Sequence, residues 1–420
     1  MFDNQTLLFV TKDTRPRTTG NGCSVLTYSL INLLREIGFE VKLIVFSTKT
    51  TEYDQQMIQQ LDNLRVEHKL ISLPILKPST FEKTRTAIFP KAIDYLIPDE
   101  LLKQSINSLM KGNEPEYLVT YNWPPINVHG LFSNRVSKVA CLVDLFDEVQ
   151  VLNRSSKLKK HVAAKKGPVR RLLDRLRSRR KTPVFYNLLH DVDCIIEHSK
   201  QHAVKLREMG YKNVNYLPHP LPKQARIPPP SSEEVTILIP GSLKGVASRL
   251  GFEFFLNKLL PAVENLKPQI KRHYRFRIVG HGSPPNTIEQ QLKKHPLCDL
   301  VGYVDEIEEE YRSADIILVN IPVPHGFRTR IAEAFSFGLC VIAHSANSVG
   351  MPEIIDNRNA LIASDPSQLA DKLVTLINDS NLRKRLGEQA HLDFNEQISF
   401  DSAKSKMVTI LNHLNASAKS

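Results

Sequence analysis

Short apolar, β-branched runs alternate with amphipathic stretches along most of the chain. The first such unit has an apolar run at 7–10, a helical pattern over 25–37 and a second apolar run at 41–46. Gly38 follows the helical pattern, where a left-handed C-cap glycine is common. Continuous apolar strands separated by helices predict a parallel sheet that is covered on both faces.

The same patterns predict the remaining elements. Further strands are expected at 68–73, 117–121, 139–143, 194–196, 214–217, 235–239, 276–279, 300–301, 316–319 and 340–343. Further helices are expected at 99–110, 200–209, 252–266, 306–313, 330–337, 366–378, 380–390 and 401–414. The fold class is therefore α/β, with parallel sheets throughout.

The length and the restart of the alternation predict two Rossmann-like, doubly wound domains. The first is expected over 1–183, with a basic insertion at 154–181, and the second over 184–395. A tail helix within 396–420 is expected to pack back on the first domain. Two such domains should face each other across a cleft, with a ligand at the carboxyl ends of the strands.

The composition agrees with an ordinary soluble protein. Hydrophobic residues make up 41% and charged residues 24% of the 420-residue chain, and no stretch approaches the roughly 18 apolar residues of a membrane span. The five cysteines are scattered and lack C-x-x-C spacing, so Cys141, Cys194 and Cys340 are interpreted as reduced core residues. A cytoplasmic location is expected.

The positive charge is concentrated in one segment. Residues 154–181 carry thirteen Lys or Arg and one acidic residue, Asp174, which gives this segment a net charge of +12. The whole chain has the same formal net charge of +12. Leucines and valines at partly helical spacing accompany the charges in 157–181. This pattern favours an anionic membrane surface, at the inner face of the cell membrane, over a solvated loop, and a nucleic-acid partner is not expected.

The stretch 324–343, PHGFRTRIAEAFSFGLCVIA, combines a loop with the start of a helix. Backbone N–H groups at a helix start and the positive end of its dipole favour anions, and Arg328, Thr329 and Arg330 add charge and a hydroxyl there. A diphosphate suits such a place. Glu333 lies one turn further on, where a carboxylate can accept hydrogen bonds from ribose hydroxyls.

This stretch resembles the GT-B-fold retaining glycosyltransferases of group one, and the resemblance extends over about 191–390. Glu333-Ala334 and the run from Gly338 to Ala343 match the family sequence E-A-x-x-x-G-x-P-V-I-A, with Cys340 in place of proline. His325 stands where the family has a first glutamate that contacts the donor sugar. The resemblance implies a donor loop at the residues His325, Gly326, Phe327, Arg328, Thr329, Arg330 and Ile331, and a ribose contact at Glu333.

Other loops after predicted strands resemble parts of the same family site. Gly241-Ser242-Leu243 resembles the loop where the family places donor-phosphate contacts, and Gly280-His281-Gly282 follows the next strand. Gly302-Tyr303-Val304 resembles the edge where family members hold the base by backbone groups. Either Lys244 or Arg249 is expected to reach the phosphates. Ser242 and Gly280 are counted among the donor-binding residues.

Two candidates come from the first half of the chain. Gly22 ends the loop 17–22 after the first strand, where the family has a glycine loop that closes over the donor or the acceptor. Asp144 ends the strand at 139–143 and is a candidate catalytic contact to the donor sugar, with Asp147 as its competitor. Each position also has a plain structural explanation, as a tight turn or as a helix-start carboxylate.

No metal or other cofactor is expected, because the histidines lack ligand spacing and Asp191-Val192-Asp193 stands alone before a strand. The resemblance implies transfer of a sugar from a nucleotide-sugar, such as UDP-glucose, to a hydroxyl of a lipid-linked or polysaccharide acceptor with retention. Catalytic contacts are expected from Arg330, Arg249, Lys244 and Asp144. The alternatives are a sugar-nucleotide epimerase or hydrolase on the same fold, and a non-catalytic peripheral membrane scaffold.

Overall fold

Two parallel β-sheets organise the chain in this computed structural model, which describes residues 2–18, 22–48, 53–73, 97–123, 125–143, 145, 185–226, 233–324 and 326–418. Each sheet belongs to its own compact unit. The first unit comprises 1–220 together with 403–420, and the second comprises 221–402.

The first unit contains a seven-stranded parallel sheet with the order β3-β2-β1-β4-β5-β6-β7. Its strands are β1 (Thr6–Lys12), β2 (Glu40–Ser47), β3 (Glu67–Ser72), β4 (Tyr117–Tyr121), β5 (Ser137–Leu142), β6 (Cys194–Glu197) and β7 (Val214–Tyr216). Its described helices are α1 (Gly22–Ile37), α2 (Tyr53–Asn63), α3 (Asp99–Met110) and α4 (Lys200–Glu208). Short 3-10 turns occur at Ile126–Leu131 and Leu188–Asp191.

The second unit contains a six-stranded parallel sheet with the order β10-β9-β8-β11-β12-β13. Its strands are β8 (Val235–Pro240), β9 (Tyr274–Val279), β10 (Cys298–Gly302), β11 (Ile316–Val319), β12 (Cys340–His344) and β13 (Ala360–Ala363). Its helices are α5 (Val246–Phe254), α6 (Leu260–Asn265), α7 (Asn286–Lys294), α8 (Ile307–Arg312), α9 (Thr329–Phe337), α10 (Pro366–Asn378) and α11 (Ser380–Gln397). A π-helical turn, Phe255–Leu259, joins α5 to α6, and short 3-10 turns lie at Lys267–Gln269 and Ser345–Asn347.

The predicted boundary between the domains is wrong. Strands β6 and β7, which were expected to open the second domain, extend the first sheet, because β6 pairs with β5 through Val139 and Cys194. The chain therefore passes between the units at 220–221, and the crossing expected near Pro183 is not the boundary. Only hydrogen bonding in the folded sheet decides this, since a strand has the same pattern in either domain.

The last helix, α12 (Phe400–Ala418), carries the chain back across the boundary. Its residues from 403 onward group with the first unit, and Asn415 accepts a hydrogen bond from the Tyr117 hydroxyl. None of the helices in the described part of the chain has both the length and the apolar composition to cross a membrane.

The cores agree with the apolar runs in the sequence. The middle of β1 is buried, as are most residues of β8 and all of β11. Cys141, Cys194 and Cys340 are buried and free, as predicted. Trp123 packs edge-on against Phe185 and Tyr186, with ring centroids 6.3 and 5.2 Å away, and is buried in the first unit.

Candidate functional site

The loops at the carboxyl ends of β8, β9 and β10 lie side by side in the second unit. Gly241 follows β8, Gly280 follows β9, and Tyr303 follows β10. The backbone N–H of Gly241 donates to the carbonyl of Val279 (3.0 Å), and that of Gly280 donates to the carbonyl of Gly302 (2.7 Å). These parallel neighbours therefore form one continuous edge of the sheet.

Gly241 and Gly280 are glycines for a steric reason. Both have positive φ, +123° and +155°, which side chains rarely tolerate. A Cβ on Gly280 would overlap the carbonyl oxygen of Gly241, and a Cβ on Gly241 would overlap the guanidinium of Arg330. The glycines thus allow two backbones and one cationic side chain to meet in a very small space.

Arg330 belongs to the first turn of α9, and its guanidinium lies against the backbone of Gly241. Within the described residues the guanidinium has no hydrogen-bonded or ion-paired partner. Burial lowers the pKa of Arg330, while Tyr311 and Glu333 partly oppose that shift. A half-buried cation beside a helix start, whose N–H groups donate to no described residue, is suited to an anionic ligand.

Glu333 lies one turn further along α9. Its Oε2 accepts a hydrogen bond from the Tyr311 hydroxyl (2.8 Å), and Oε1 has no partner among the residues that the structure describes. Burial raises the pKa of the Glu333 carboxyl and Glu308 adds to the rise, while Tyr311 and Arg330 oppose it. One carboxylate oxygen is therefore held by Tyr311, and the other remains for a ligand.

Lys244 approaches the same edge from the β8 loop. Its Nζ lies 3.1 Å from His281 Nε2, and the backbone N–H of Leu243 donates to the carbonyl of His281 (3.0 Å). Tyr303, which is 64% exposed, meets the His281 ring edge-on at a centroid distance of 6.1 Å. Lys244, His281 and Tyr303 thus form an exposed row beside the glycine contact.

Several other residues predicted to bind the donor make contacts within the protein itself. Arg328 is 8% exposed, and its Nη2 donates to the carbonyl of Val323 (2.7 Å), so its charge is held within its own loop. Ile331 is fully buried, its side chain fills the core, and its N–H donates to the carbonyl of Arg328 (2.9 Å). Phe327 and Val304 pack partly against the same core.

The remaining predicted residues of the second unit are placed as follows. Gly326 has a φ of +62° in the loop before α9, and Thr329 is the first residue of that helix. Ser242 is exposed in the β8 loop. Arg249 lies on α5, and its buried Nε has no hydrogen-bond partner in the described ranges.

The other features singled out in the sequence lie elsewhere. His325, Asp144 and the basic segment 154–181 lie outside the described residues. Gly22 begins α1 in the first unit, not in the unit that holds the other donor candidates. Asp193 of the D-x-D sequence accepts the backbone N–H of Lys138 (2.9 Å), which is a structural role.

Two residues of the site were not predicted. Tyr311 comes from α8 and reaches Glu333 only because α8 and α9 are neighbours in the fold. His281 had a signal in the sequence, since it stands between two glycines directly after a strand. Its contact with Lys244 depends on the side-by-side arrangement of β8 and β9.

Comparisons with solved structures define the class of the fold. A glycosyltransferase of Rickettsia africae aligns over 98% of this chain and 99% of its own with a TM-score of 0.64 and 16% identity. Anabaena HepE, solved in complex with UDP and glucose, aligns over 97% of this chain and 100% of its own with a TM-score of 0.62 and 12% identity. The chain thus has the GT-B fold of two Rossmann-like units, as predicted.

The sequence comparison names the family. The family described as "Glycosyl transferases group 1" matches residues 234–379, within the second unit. An α-1,4-N-acetyl-D-galactosaminyltransferase of Campylobacter jejuni, whose name gives an undecaprenol-linked glycan as its acceptor, is 29% identical over 134 residues, 31% of this chain and 37% of the relative. Residues 234–379 therefore match the group 1 glycosyltransferases. It matches less than half the length of its curated relatives.

Proposed function

We propose that this protein transfers a sugar from a UDP-sugar, such as UDP-glucose, to a hydroxyl of a lipid-linked or growing polysaccharide acceptor. The observation that carries the proposal is the half-buried Arg330 guanidinium, which lies against Gly241 and forms no salt bridge or hydrogen bond among the described residues. A nucleoside diphosphate supplies oxygen atoms that can accept from its N–H groups. The UDP complexes of HepE and the lipid-linked acceptor named for the Campylobacter relative support the choice of substrates.

The chemistry follows from the charges at this edge. As the bond to the anomeric carbon breaks, negative charge grows on the leaving diphosphate. Arg330, Lys244 and the start of α9 are donors already in position for that charge, and such preorganised donors stabilise a transition state more than a ground state. We propose that these cations take the place of a metal ion and that the anomeric configuration is retained.

The first test is donor binding by the full chain. Thermal unfolding with UDP, UDP-glucose, GDP and ADP should show stabilisation by the uridine compounds, about 2.7 kcal/mol at a hundred times the dissociation constant. A scaffold without a donor site would bind none of them. A hydrolase or epimerase would consume UDP-glucose without an acceptor, whereas a transferase needs the acceptor hydroxyl.

The Glu333→Gln variant is expected to bind UDP about tenfold more weakly. The neutral amide oxygen accepts hydrogen bonds from the ribose hydroxyls less strongly than the charged carboxylate does. Tyr311→Phe is the matched control, since it removes the hydrogen bond to Oε2 but leaves the carboxylate. Isothermal titration measures both affinities. Equal affinity in the wild type and Glu333→Gln would remove Glu333 from the nucleotide site.

The same assignment predicts a pH dependence. Burial raises the pKa of Glu333, so acidification should protonate it at a higher pH than an ordinary glutamate. UDP affinity of the wild type should therefore fall as the pH drops through this raised value. Glu333→Gln lacks the titrating group and should show a flatter profile over the same range.

We propose that the basic segment 154–181 binds an anionic membrane surface and so brings the enzyme to a lipid-linked acceptor at the inner face of the cell membrane. Each Lys or Arg near such a surface contributes about 1 kcal/mol, so the segment's charge would suffice for binding. The charge falls outside the nucleotide loops, and donor binding in solution should not depend on it.

Replacing six basic residues of the segment with glutamine is expected to release the protein from anionic vesicles without changing UDP affinity. The replaced residues are Lys159, Lys160, Lys165, Lys166, Arg170 and Arg171. A control variant loses the same charge at six exposed lysines: Lys103, Lys111, Lys212, Lys267, Lys271 and Lys294. Sedimentation with vesicles of increasing anionic content measures binding, and equal binding by both variants would identify the segment as a solvated loop.

A further inference from the structure

His281 lies between Gly280 and Gly282 in the loop after β9, and the sequence analysis predicted no role for its side chain. We infer that His281 is a positioning residue that holds the Lys244 ammonium in place for the diphosphate of the donor. The inference rests on the proposed function and adds a residue to it. Its basis is the 3.1 Å contact between Lys244 Nζ and His281 Nε2.

Hydrogen-bond chemistry gives this contact a direction. A lysine ammonium has three donors and no acceptor, so His281 Nε2 must accept, which requires a neutral ring with its proton on Nδ1. The contact therefore specifies one tautomer of His281. It also leaves two N–H donors of Lys244 for oxygen atoms of a ligand.

The loops around the pair leave room for this arrangement. A Cβ on Gly282 would come within 2.8 Å of Lys244 Cδ, so the absence of a side chain there lets the lysine stem lie across the loop. Leu243 donates its N–H to the carbonyl of His281, and Tyr303 meets the His281 ring edge-on. The ring is thus placed by its backbone and by one aromatic neighbour, and it in turn restrains Lys244.

Restraint matters because a lysine side chain has many rotamers. A free lysine at the surface loses that freedom when a phosphate arrives, whereas a lysine already held in place loses less. Removal of the acceptor at position 281 should therefore weaken the binding of a diphosphate, although His281 itself does not have to touch the ligand. A brace between two loops is the competing explanation, since His281 also joins the β8 and β9 loops.

A pair of variants separates the two explanations. His281→Gln places an amide oxygen near the original Nε2 and should retain UDP affinity within about twofold, whereas His281→Met fills similar space without an acceptor. The methionine variant is expected to bind UDP about five- to tenfold more weakly, the scale of one ordinary hydrogen bond. Titration calorimetry measures all affinities, and thermal unfolding of each variant shows that both still fold.

The decisive comparison repeats His281→Met in a Lys244→Met background. If His281 acts through Lys244, the second substitution should change UDP affinity no further. An equal loss in both backgrounds, or equal affinities of His281→Gln and His281→Met, would overturn the inference. Ring ¹⁵N shifts of wild-type His281 should also show the proton on Nδ1, and a proton on Nε2 would contradict it.

The outcomes distinguish this inference from the proposed function. If the wild type binds no UDP, the donor site itself is refuted, and the inference with it. If the wild type binds UDP but the His281 variants match it, only the positioning role is refuted. Transfer assays add a further readout, since loss of Lys244 positioning should lower kcat/KM for UDP-glucose in His281→Met and not in His281→Gln.

Discussion

Replacing Arg330 with alanine is expected to lower turnover on UDP-glucose by about 100-fold or more, and to lower donor affinity by less. The charge on the leaving diphosphate grows towards the transition state, so a preorganised cation contributes more there than in the ground state. The guanidinium of Arg330 lies directly against the backbone of Gly241. Steady-state transfer assays together with UDP titration separate the two effects.

Arg275→Ala is the matched control for Arg330→Ala. Arg275 lies on β9 in the same unit and makes an exposed ion pair with Glu234 (3.1 Å), so its removal changes the net charge equally without touching the loops. Its turnover should stay close to that of the wild type. Unchanged turnover in Arg330→Ala would instead assign the leaving-group role to Lys244 or to backbone N–H groups.

Gly280→Ala is expected to destabilise the second unit by about 3 kcal/mol or more and to abolish UDP binding. The new Cβ would overlap the carbonyl oxygen of Gly241, which is backbone and cannot rotate away, and the positive φ adds strain. The two loops must then separate, and Arg330 loses the surface on which it lies. Urea unfolding measures the loss, and hydrogen exchange in 235–245 and 274–282 localises it.

Gly302→Ala is the control for backbone strain alone. Gly302 has a φ of +84° at the end of β10, but a Cβ there would meet nothing within 4 Å. Gly302→Ala is expected to lower the free energy of unfolding by about 1–2 kcal/mol, because a residue with a side chain is strained in the left-handed conformation. Equal losses in the two variants would mean that the Gly241 loop moves aside without cost.

Most of the elements could be read from periodicity, because burial in a parallel sheet requires continuous apolar runs. The strands at Tyr117–Tyr121 and Ile316–Val319 and the helices at Asp99–Met110 and Pro366–Asn378 have the predicted bounds. In the folded protein Asp365 also caps the start of α10, because its side chain accepts the backbone N–H groups of Ser367 and Gln368.

Elements with weak patterns were missed. Helix α7 (Asn286–Lys294) buries only Ile288 and Leu292, so its apolar positions are too few to show a helical period. Strand β13 (Ala360–Ala363) is four residues long, and helix α5 begins at Val246, six residues before the predicted start at 252. Short or polar elements are stabilised mainly by packing against neighbouring elements. The local sequence pattern carries no information about those neighbours.

The sequence by itself determined the α/β class, the presence of two parallel sheets and the glycine loops that follow β8 and β9, because strand burial and glycine turns are local properties. Only the tertiary structure decided that β6 and β7 belong to the first sheet, that Arg330 lies on Gly241, and that Ile331 fills the core while Tyr311 holds Glu333. These facts depend on contacts between residues far apart in the chain. Strand pairing and side-chain packing create such contacts only when the chain has folded.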